Sequence, residues 1–473
     1  MQVVVIGGSA AGQFAALLLA RAGHTVVLLD REDVSPAIDV EAAAKAAFRP
    51  TAPHVVQPHA LLPRCRLLLR QHLPDVYDAL LAAGAVEAPL AVATPPGVHL
   101  DARTGDDDYT AVATRRSTFD LVLRRAVTDQ AGIVCRFGTR VRGLLADAGA
   151  PPRVRGVRID AGAFDADLVV DATGRRTRID SWLSEIGAAP TQLVSAECGL
   201  CYRSRHYRVR PGHDLPGHPA TRLLLALDEF TTGLWNCDNG TALIALAPLV
   251  EDHRFRGVDD GDVFDAVVAT VPAYRPWLDC LEPVSDVFVM AGLHNTWRRL
   301  VVDGEVRATG LALVGDSRCT TNPTFGRGLP LALIEAVDLV SSIQTCGDDL
   351  MALAHRLEQA ANDNVEPFYR DQARNDSMRL AALRQAIFGI EAQPAAERPD
   401  AVSFAELRAA MPANADAVRA FWRVMGMLEL PDTVYEDPQV IDNTRNALRT
   451  ATNFVAMPQP TRAEIEAALL SRG

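Results

Sequence analysis

The chain has 473 residues, is 48% hydrophobic and 22% charged, and carries a formal net charge of −12 at pH 7. That length supports several structural layers around a large core, and the negative balance argues against nucleic acid or an anionic membrane surface as a partner. Of its 47 basic residues only Lys45 is a lysine.

The opening stretch, MQVVVIGGSAAGQFAALLLARAGHTVVLLD, is read first. Val3 to Ile6 is an apolar run of β-formers, suited to a buried parallel strand. A glycine-rich turn follows (Gly7, Gly8, Ser9, Ala10, Ala11, Gly12), then an Ala/Leu-rich segment that predicts a helix over about 13–22, stopping at Gly23. A second strand, 25–29, ends on Asp30. This order is half of a dinucleotide-binding βαβ unit. Gly7 permits the tight turn, Gly12 close packing of helix on strand, and the helix N-terminus suits a pyrophosphate. Asp30 stands where a ribose hydroxyl would be bound. The one departure from G-x-G-x-x-G is Ser9 in the middle position. The apolar N-terminus has neither a basic region nor a cleavage site, and no apolar run reaches the ~18 residues of a membrane span. A cytoplasmic location is expected.

After an Ala-rich passage holding Lys45, a loop bracketed by His54 and His59 leads into two predicted helices. Each histidine reads either as an ordinary surface or satisfied group or as polar lining of a cofactor edge. A strand-rich region is expected over about 92–112. Ser117 and Asp120 form an S-x-x-D pattern that predicts a helix start, with Arg116 just outside it. Residues 133–170 read as short strands, the last ending in Asp171-Ala172-Thr173-Gly174. From about 192 to 298 antiparallel strands dominate, with a hairpin signal at Asn239-Gly240 and a helix over 262–274. Cys198 and Cys201 form a C-x-x-C inside a strand-like stretch, where core thiols are expected rather than a redox or zinc pair. No metal site is expected. A third motif, GLALVGDSRCTTNPTFGRGLPLAL, runs from Gly310: an apolar strand, a Gly-Asp at its end, a Pro/Gly loop and a helix start. Asp316 can bind a polyol, and Gly326 and Gly328 let backbone amides approach a planar ring. Residues 346–473 read as helical, with capping boxes at Ser403/Glu406 and Thr461/Glu464. This tail is expected to cover one side of a substrate chamber.

Together, VVIGGSAAG, VVDATGRR and GDSRCTTNPTFGRGL resemble the FAD-dependent monooxygenases of the para-hydroxybenzoate hydroxylase fold. PHALLPRCRLLLRQHLPDVYDALLAAGA, YRSRHYRV and CTTNPTFGRGLPLA look more specifically like the squalene-epoxidase-like flavin epoxidases of polyether biosynthesis. The resemblance implies an α/β fold: a Rossmann-like FAD domain of glutathione-reductase type, an antiparallel substrate-binding sheet and a helical C-terminal region. The expected boundaries are 1–191 and 302–345 for the FAD domain, 192–301 for the substrate sheet and 346–473 for the tail. Carried over, Gly7, Ser9 and Gly12 would hold the FAD pyrophosphate and Asp30 the adenosine ribose. Arg116 would contact the cofactor, Asp316 would bind ribityl and pyrophosphate-side oxygens, and Pro323, Gly326 and Gly328 would lie against the isoalloxazine. Gly8, Ala11, Arg31, Asp171, Gly174 and Gly315 complete the candidate set.

The implied activity is insertion of one atom of O2 into a small, largely apolar natural-product intermediate, by epoxidation or hydroxylation through a flavin hydroperoxide. The cofactor carries that chemistry, so no catalytic residue is singled out. The chain has no second glycine-rich fingerprint, so NAD(P)H would either dock transiently or serve a separate flavin reductase. A reductase or dehydrogenase of the same fold is the alternative. Flavin-dependent halogenases of this fold use a lysine between flavin and substrate and carry W-x-W-x-I-P. Neither pattern is present, since Lys45 lies in a helical EAAAKAAF where a solvated lysine is expected.

Overall fold

The computed structural model describes residues 1–33, 35–49, 51–391, 398–450 and 458–471. Its centre is a five-stranded parallel sheet in the order Leu311–Leu313, Leu168–Asp171, Gln2–Ile6, Thr25–Leu29 and Ile133–Arg136. Successive side chains leave a strand on opposite faces, and both faces here are covered. Val3, Val5, Val26, Leu28, Leu168 and Val170 pack under the helices Ala10–Arg21 and Gly328–Cys346. Val4, Ile6, Val27, Leu29 and Val169 pack under an antiparallel meander of Val141–Asp147, Arg153–Ile159 and Gly162–Asp165. This double burial is why the opening strand is an unbroken apolar run. The first helix begins at Ala10, earlier than its apolar pattern suggests, because Ser9 already has the extended backbone of an N-cap.

A second, antiparallel sheet runs Arg222–Ala226, Thr231–Asn236, Thr241–Ala247, Tyr202–Val209 and Leu281–Pro283. The turn at Asn239-Gly240 has both residues at positive φ, 53° and 65°, as a tight hairpin requires. One face of this sheet packs on the helix Gly261–Thr270, which also receives Ile465 and Ala468 of the tail. The tail is helical, and both capping boxes form.

Two expectations need correction. Over 92–112 only Ala111–Ala113 is strand. Pro95, Pro96 and Gly97 break the segment, and Asp106 and Asp107 turn out to pair with Arg419 and Arg66. Ser117 does not cap its helix. The helix starts at Arg116, and Asp120 accepts from Arg116 Nε at 2.7 Å. The helix Gly328–Cys346 is long and apolar enough to cross a membrane, although its sequence is interrupted by Glu335 and Asp338. Within the protein 61% of its most apolar window is buried, and it packs along the first helix as a core element.

The tail is tied to the glycine-rich loop by a buried ion pair that motif reading misses. Arg327, fully buried, donates through Nη2 to Asp371 of the helix Glu366–Phe388 and through Nη1 to Phe368 O at 2.8 Å. Tyr435 Oη donates to the other Asp371 oxygen at 2.8 Å. Removing one partner of such a pair strands a charge in the core. Asp371→Ala is expected to cost about 3–5 kcal/mol in urea unfolding, and the double change Arg327→Met with Asp371→Leu to recover most of it. A single-variant loss well under 1 kcal/mol, ~the value of an exposed pair, would contradict this.

Candidate active site

A cavity of ≈ 380 Å³ opens where the parallel strands end, beyond Ile6, Leu29, Ala172 and Gly315. Ligands of open α/β sheets bind at this edge. The glycine-rich turn forms one wall. Gly7 sits at φ 107°, and a Cβ there would lie 2.3 Å from Ala172 O. A Cβ on Gly12 would lie 1.8 Å from Gly7 O. Neither position has room for a side chain. Gly8 and Gly12 shape the turn from behind, while Gly7, Ser9 and Ala11 line the cavity. Ser9 replaces the middle glycine without capping the helix; its Oγ accepts from Arg49 Nη2 at 3.1 Å. The amides of Ser9, Ala10 and Ala11 have no protein acceptor among the described residues. Free amides at a helix N-terminus are a built-in anion site. Asp30 lines the cavity, and it also holds the turn in place: Oδ2 accepts from Gly8 N at 2.6 Å and Oδ1 from Glu32 N at 2.8 Å.

Asp171 is a correction. It is fully buried, and its carboxylate is taken by Thr173 N at 2.8 Å, Thr173 Oγ1 at 2.6 Å, Thr177 Oγ1 and Ser317 Oγ. It shapes the D-A-T-G loop and does not line the cavity. Gly174 does line it, donating its N–H to Ser317 Oγ at 3.0 Å. Asp316 faces the cavity with no protein donor on its carboxylate among the described residues. Burial pushes its carboxyl up to about 6, against the pull of Arg175 and Arg116.

His54 and His59 both line the cavity, with rings 6.2 Å apart. Of the two readings open for them, the structure supports polar lining. His59 Nδ1 meets Gln57 O at 2.8 Å, which leaves Nε2 as the acceptor for Arg116 Nη1 at 3.3 Å. Burial and the Arg116 charge push His59 down to about 4, and burial drives His54 well below its ordinary value. Both are therefore neutral at pH 7. His206 lies elsewhere, bonded to Val56 O at 2.7 Å. Cys198 and Cys201 are buried thiols, Cys198 pushed up to about 12 by burial. Lys45 is exposed at the end of the helix Val40–Lys45, outside the cavity lining.

Pro323, Gly326 and Gly328 line the opposite wall, with Gly326 at φ 70° and the helix Gly328–Cys346 starting there. Arg31, Arg116 and Gly315 also reach the lining. Sequence reading missed the apolar part of the lining, which includes Leu224, Trp235, Met290, Leu293, Phe325 and Met425. It also missed the charge balance: the lining holds eight arginines against two aspartates, inside a chain of net charge −12. The Arg140/Arg142 pair and the Arg175-Arg176 and Arg178 cluster are the sequence signals for it. The tail contributes Met425 to the cavity lining.

No protein-family model matches the chain. Protein Rv3254 of Mycobacterium tuberculosis (strain ATCC 25618 / H37Rv) is 26% identical over 471 residues, spanning 92% of this chain and 91% of that protein. Among solved structures, the flavin-dependent brominase Bmp2 superposes with a TM-score of 0.63 at 16% identity, over 95% of this chain and 98% of its own. PqsL, a probable FAD-dependent monooxygenase from Pseudomonas aeruginosa, gives 0.57 at 14% identity, over 82% of this chain and 98% of its own. The myxobacterial chondrochloren halogenase CndH gives 0.58 at 18% identity, over 99% and 95%. The chain has the fold shared by these FAD-dependent monooxygenases and halogenases. That fold is common to both chemistries and does not single out the epoxidase branch.

The Asp316 carboxyl generates a pH prediction. Its value rises on folding from the ordinary 3.8 to about 6, so folding favours the protonated form. The stabilisation is complete below the ordinary value and is lost as pH rises through the folded one. In the cofactor-free protein, Asp316→Asn is expected to match the parent in stability near pH 3.8 and to exceed it increasingly toward pH 6. Urea midpoints across this range would measure it; a pH-independent difference would contradict the assignment.

Proposed function

We propose that the protein is a FAD-dependent monooxygenase that inserts one oxygen atom from O2 into a small, largely apolar organic substrate, by epoxidation or hydroxylation. The observation that carries this reading is one cavity lined both by the free amides of a helix N-terminus and by apolar side chains, together with Asp316 and the 323–328 loop. The residues fit FAD. The unpartnered amides of Ser9, Ala10 and Ala11 suit the pyrophosphate, and Asp30 retains lone pairs for a ribose hydroxyl. Asp316 offers an unused carboxylate to ribityl hydroxyls, and Pro323, Gly326 and Gly328 would lie against the ring. In this reading residues 1–191 and 302–345 make the cofactor domain, 192–301 the substrate sheet and 346–473 the covering tail.

Bound FAD would supply the redox chemistry: two electrons from NAD(P)H reduce O2, one oxygen enters the substrate and the other leaves as water. The chain's own residues do the rest. The helix N-terminus at Gly328 and its dipole would favour negative charge on the reduced ring, while the Gly326 N–H donates to Pro323 O at 2.9 Å and holds the loop. Neutral His54 and His59 give the chamber a polar edge without adding a cation. Leu224, Met290, Phe325 and Met425 keep water from the reacting centre. The reductant either docks transiently in the arginine-rich mouth or acts through a partner reductase.

Halogenation is the second reading, favoured by the likeness to Bmp2 and CndH. It would have to proceed without a lysine, because the cavity lining contains none. Rapid mixing of the anaerobically reduced, FAD-loaded protein with oxygenated buffer tests the proposal. A transient absorbing species between reduced and oxidised flavin is expected, with products heavier by one oxygen in bromide and bromide-free buffer alike. Bromide in the product would establish halogenation instead. Direct reoxidation without a transient, with and without substrates, would point to a reductase or dehydrogenase.

A further inference from the structure

Gln192–Glu197 is the outer strand of a three-stranded sheet that continues through His294–Arg299 to Cys319–Thr320. Cys319–Thr320 runs on into the 323–328 loop at the cavity. The ladder between the first two strands is regular, from Gln192 opposite Arg299 to Glu197 opposite His294. Arg298 gives its N–H to Arg318 O, on the far side of its strand, at 2.9 Å. Backbone groups alternate in direction along an antiparallel pair. Asn295, Trp297 and Arg299 therefore turn toward the outer strand and bond Ala196, Val194 and Gln192. The N–H and C=O groups of Leu193, Ser195 and Glu197 are left facing outward, and among the described residues none of them has a partner.

An open edge of this kind is a template for another strand, and proteins usually blunt it with proline, lysine, a bulge or a covering element. QLVSAE contains no proline and no lysine, and its register is unbroken. The helix Glu366–Phe388 covers one face of the sheet, where Asn295 donates to Asp376 at 2.7 Å and Trp297 stacks on Tyr369. Leu193 and Val194, on opposite faces of the strand, are nevertheless 49% and 44% exposed. The strand is its own complement. Antiparallel pairing with a second copy, about a two-fold axis through Ser195, sets Ser195 opposite Ser195 and Leu193 opposite Glu197. Every outward group is then used, in about six hydrogen bonds. Val194 meets Ala196 of the second copy, a large side chain against a small one, and no like charges face each other. Glu197 is already paired with Arg384 at 2.9 Å. This match of register, size and charge selects a second copy over an unrelated strand.

We infer that the protein is a two-fold dimer in which the Gln192–Glu197 strands of two copies pair antiparallel about Ser195 and join their sheets into one. The interface is closed: it consumes the edge, so assembly stops at two copies. The inference is independent of the reaction assigned to the cavity. It places the 323–328 loop on a scaffold shared by both copies, because the third strand of the joined sheet leads into that loop.

Analytical ultracentrifugation of the full chain at tens of micromolar tests the inference, and twice the mass of one chain is expected. Ser195→Lys sets two lysines face to face on the axis, where like charges repel. Ser195→Pro removes an outward N–H that the fold itself does not use. Both variants should sediment at half the parent mass with unchanged circular dichroism. Ser195→Cys brings two thiols together in a hydrogen-bonded pair, with Cα atoms ~5.5 Å apart, inside the range of a disulfide. Mild oxidation should link this variant into a covalent dimer. The parent and His213→Cys, an exposed loop position outside this sheet, should stay unlinked. A parent of single-chain mass, a dimer that survives in both Ser195→Lys and Ser195→Pro, or assembly beyond two copies would overturn the inference. So would a dimeric parent whose Ser195→Cys variant does not cross-link, or cross-linking as complete in His213→Cys.

Discussion

A guanidinium with no exposed surface, Arg327, joins the two halves of the cavity wall. It belongs to the loop whose Pro323, Gly326 and Gly328 face the cavity, and its partner Asp371 belongs to the helical tail. The same group lies 4.7 Å over the Phe325 ring, which packs at a tilt against Phe404, which packs in turn at a tilt against Phe421. A buried guanidinium needs a paired charge, so the loop depends on the docking of the helix Glu366–Phe388, which brings Asp371. The tail is therefore a condition for the shape of the site. Met425 at the chamber end and Tyr435 on Asp371 belong to that same dependence.

Electrostatics divide the molecule in a way the net charge conceals. The acidic excess meets many arginines at the surface, as in Arg384 with Glu197 and Glu251 or Arg21 with Asp75. Such exposed pairs add little stability. Inside the cavity the balance reverses, and arginines dominate. A low-dielectric cleft lined with one sign of charge concentrates ligands of the other sign. A flavin dinucleotide and a nicotinamide reductant are both anions, so one field would serve both. The fold cannot choose the reaction, because related folds carry both bromination and oxygenation. The choice lies in the chamber, where the chain's single lysine has no part.

The legible parts of the sequence are those set by local rules. The strand–turn–helix–strand opening follows from apolar periodicity and from glycines whose missing side chains leave no space to fill, as the contacts at Gly7 and Gly12 show. The hairpin at Asn239-Gly240 and both capping boxes are equally local. Asp171 misled because a strand-end aspartate looks the same whether it faces a ligand or ties its own loop to Thr173 and Thr177. The 92–112 segment misled because short apolar runs between prolines and glycines resemble strands. Arg327 with Asp371 and Arg222 with Trp422 are contacts between distant positions, and no periodicity encodes them. His54 and His59 stood between two readings until the loop's placement on Arg116 was visible.

In the proposed function the turn at Gly7–Gly12 binds the pyrophosphate of FAD. Equilibrium titration of the cofactor-free protein with FAD, FMN and riboflavin, followed by flavin fluorescence, tests it most directly. The free amides and Asp30 predict that FAD binds far more tightly than FMN, which lacks the pyrophosphate and adenosine ribose, and that riboflavin binds more weakly still. Equal affinity for all three, or no binding of FAD, would contradict the account.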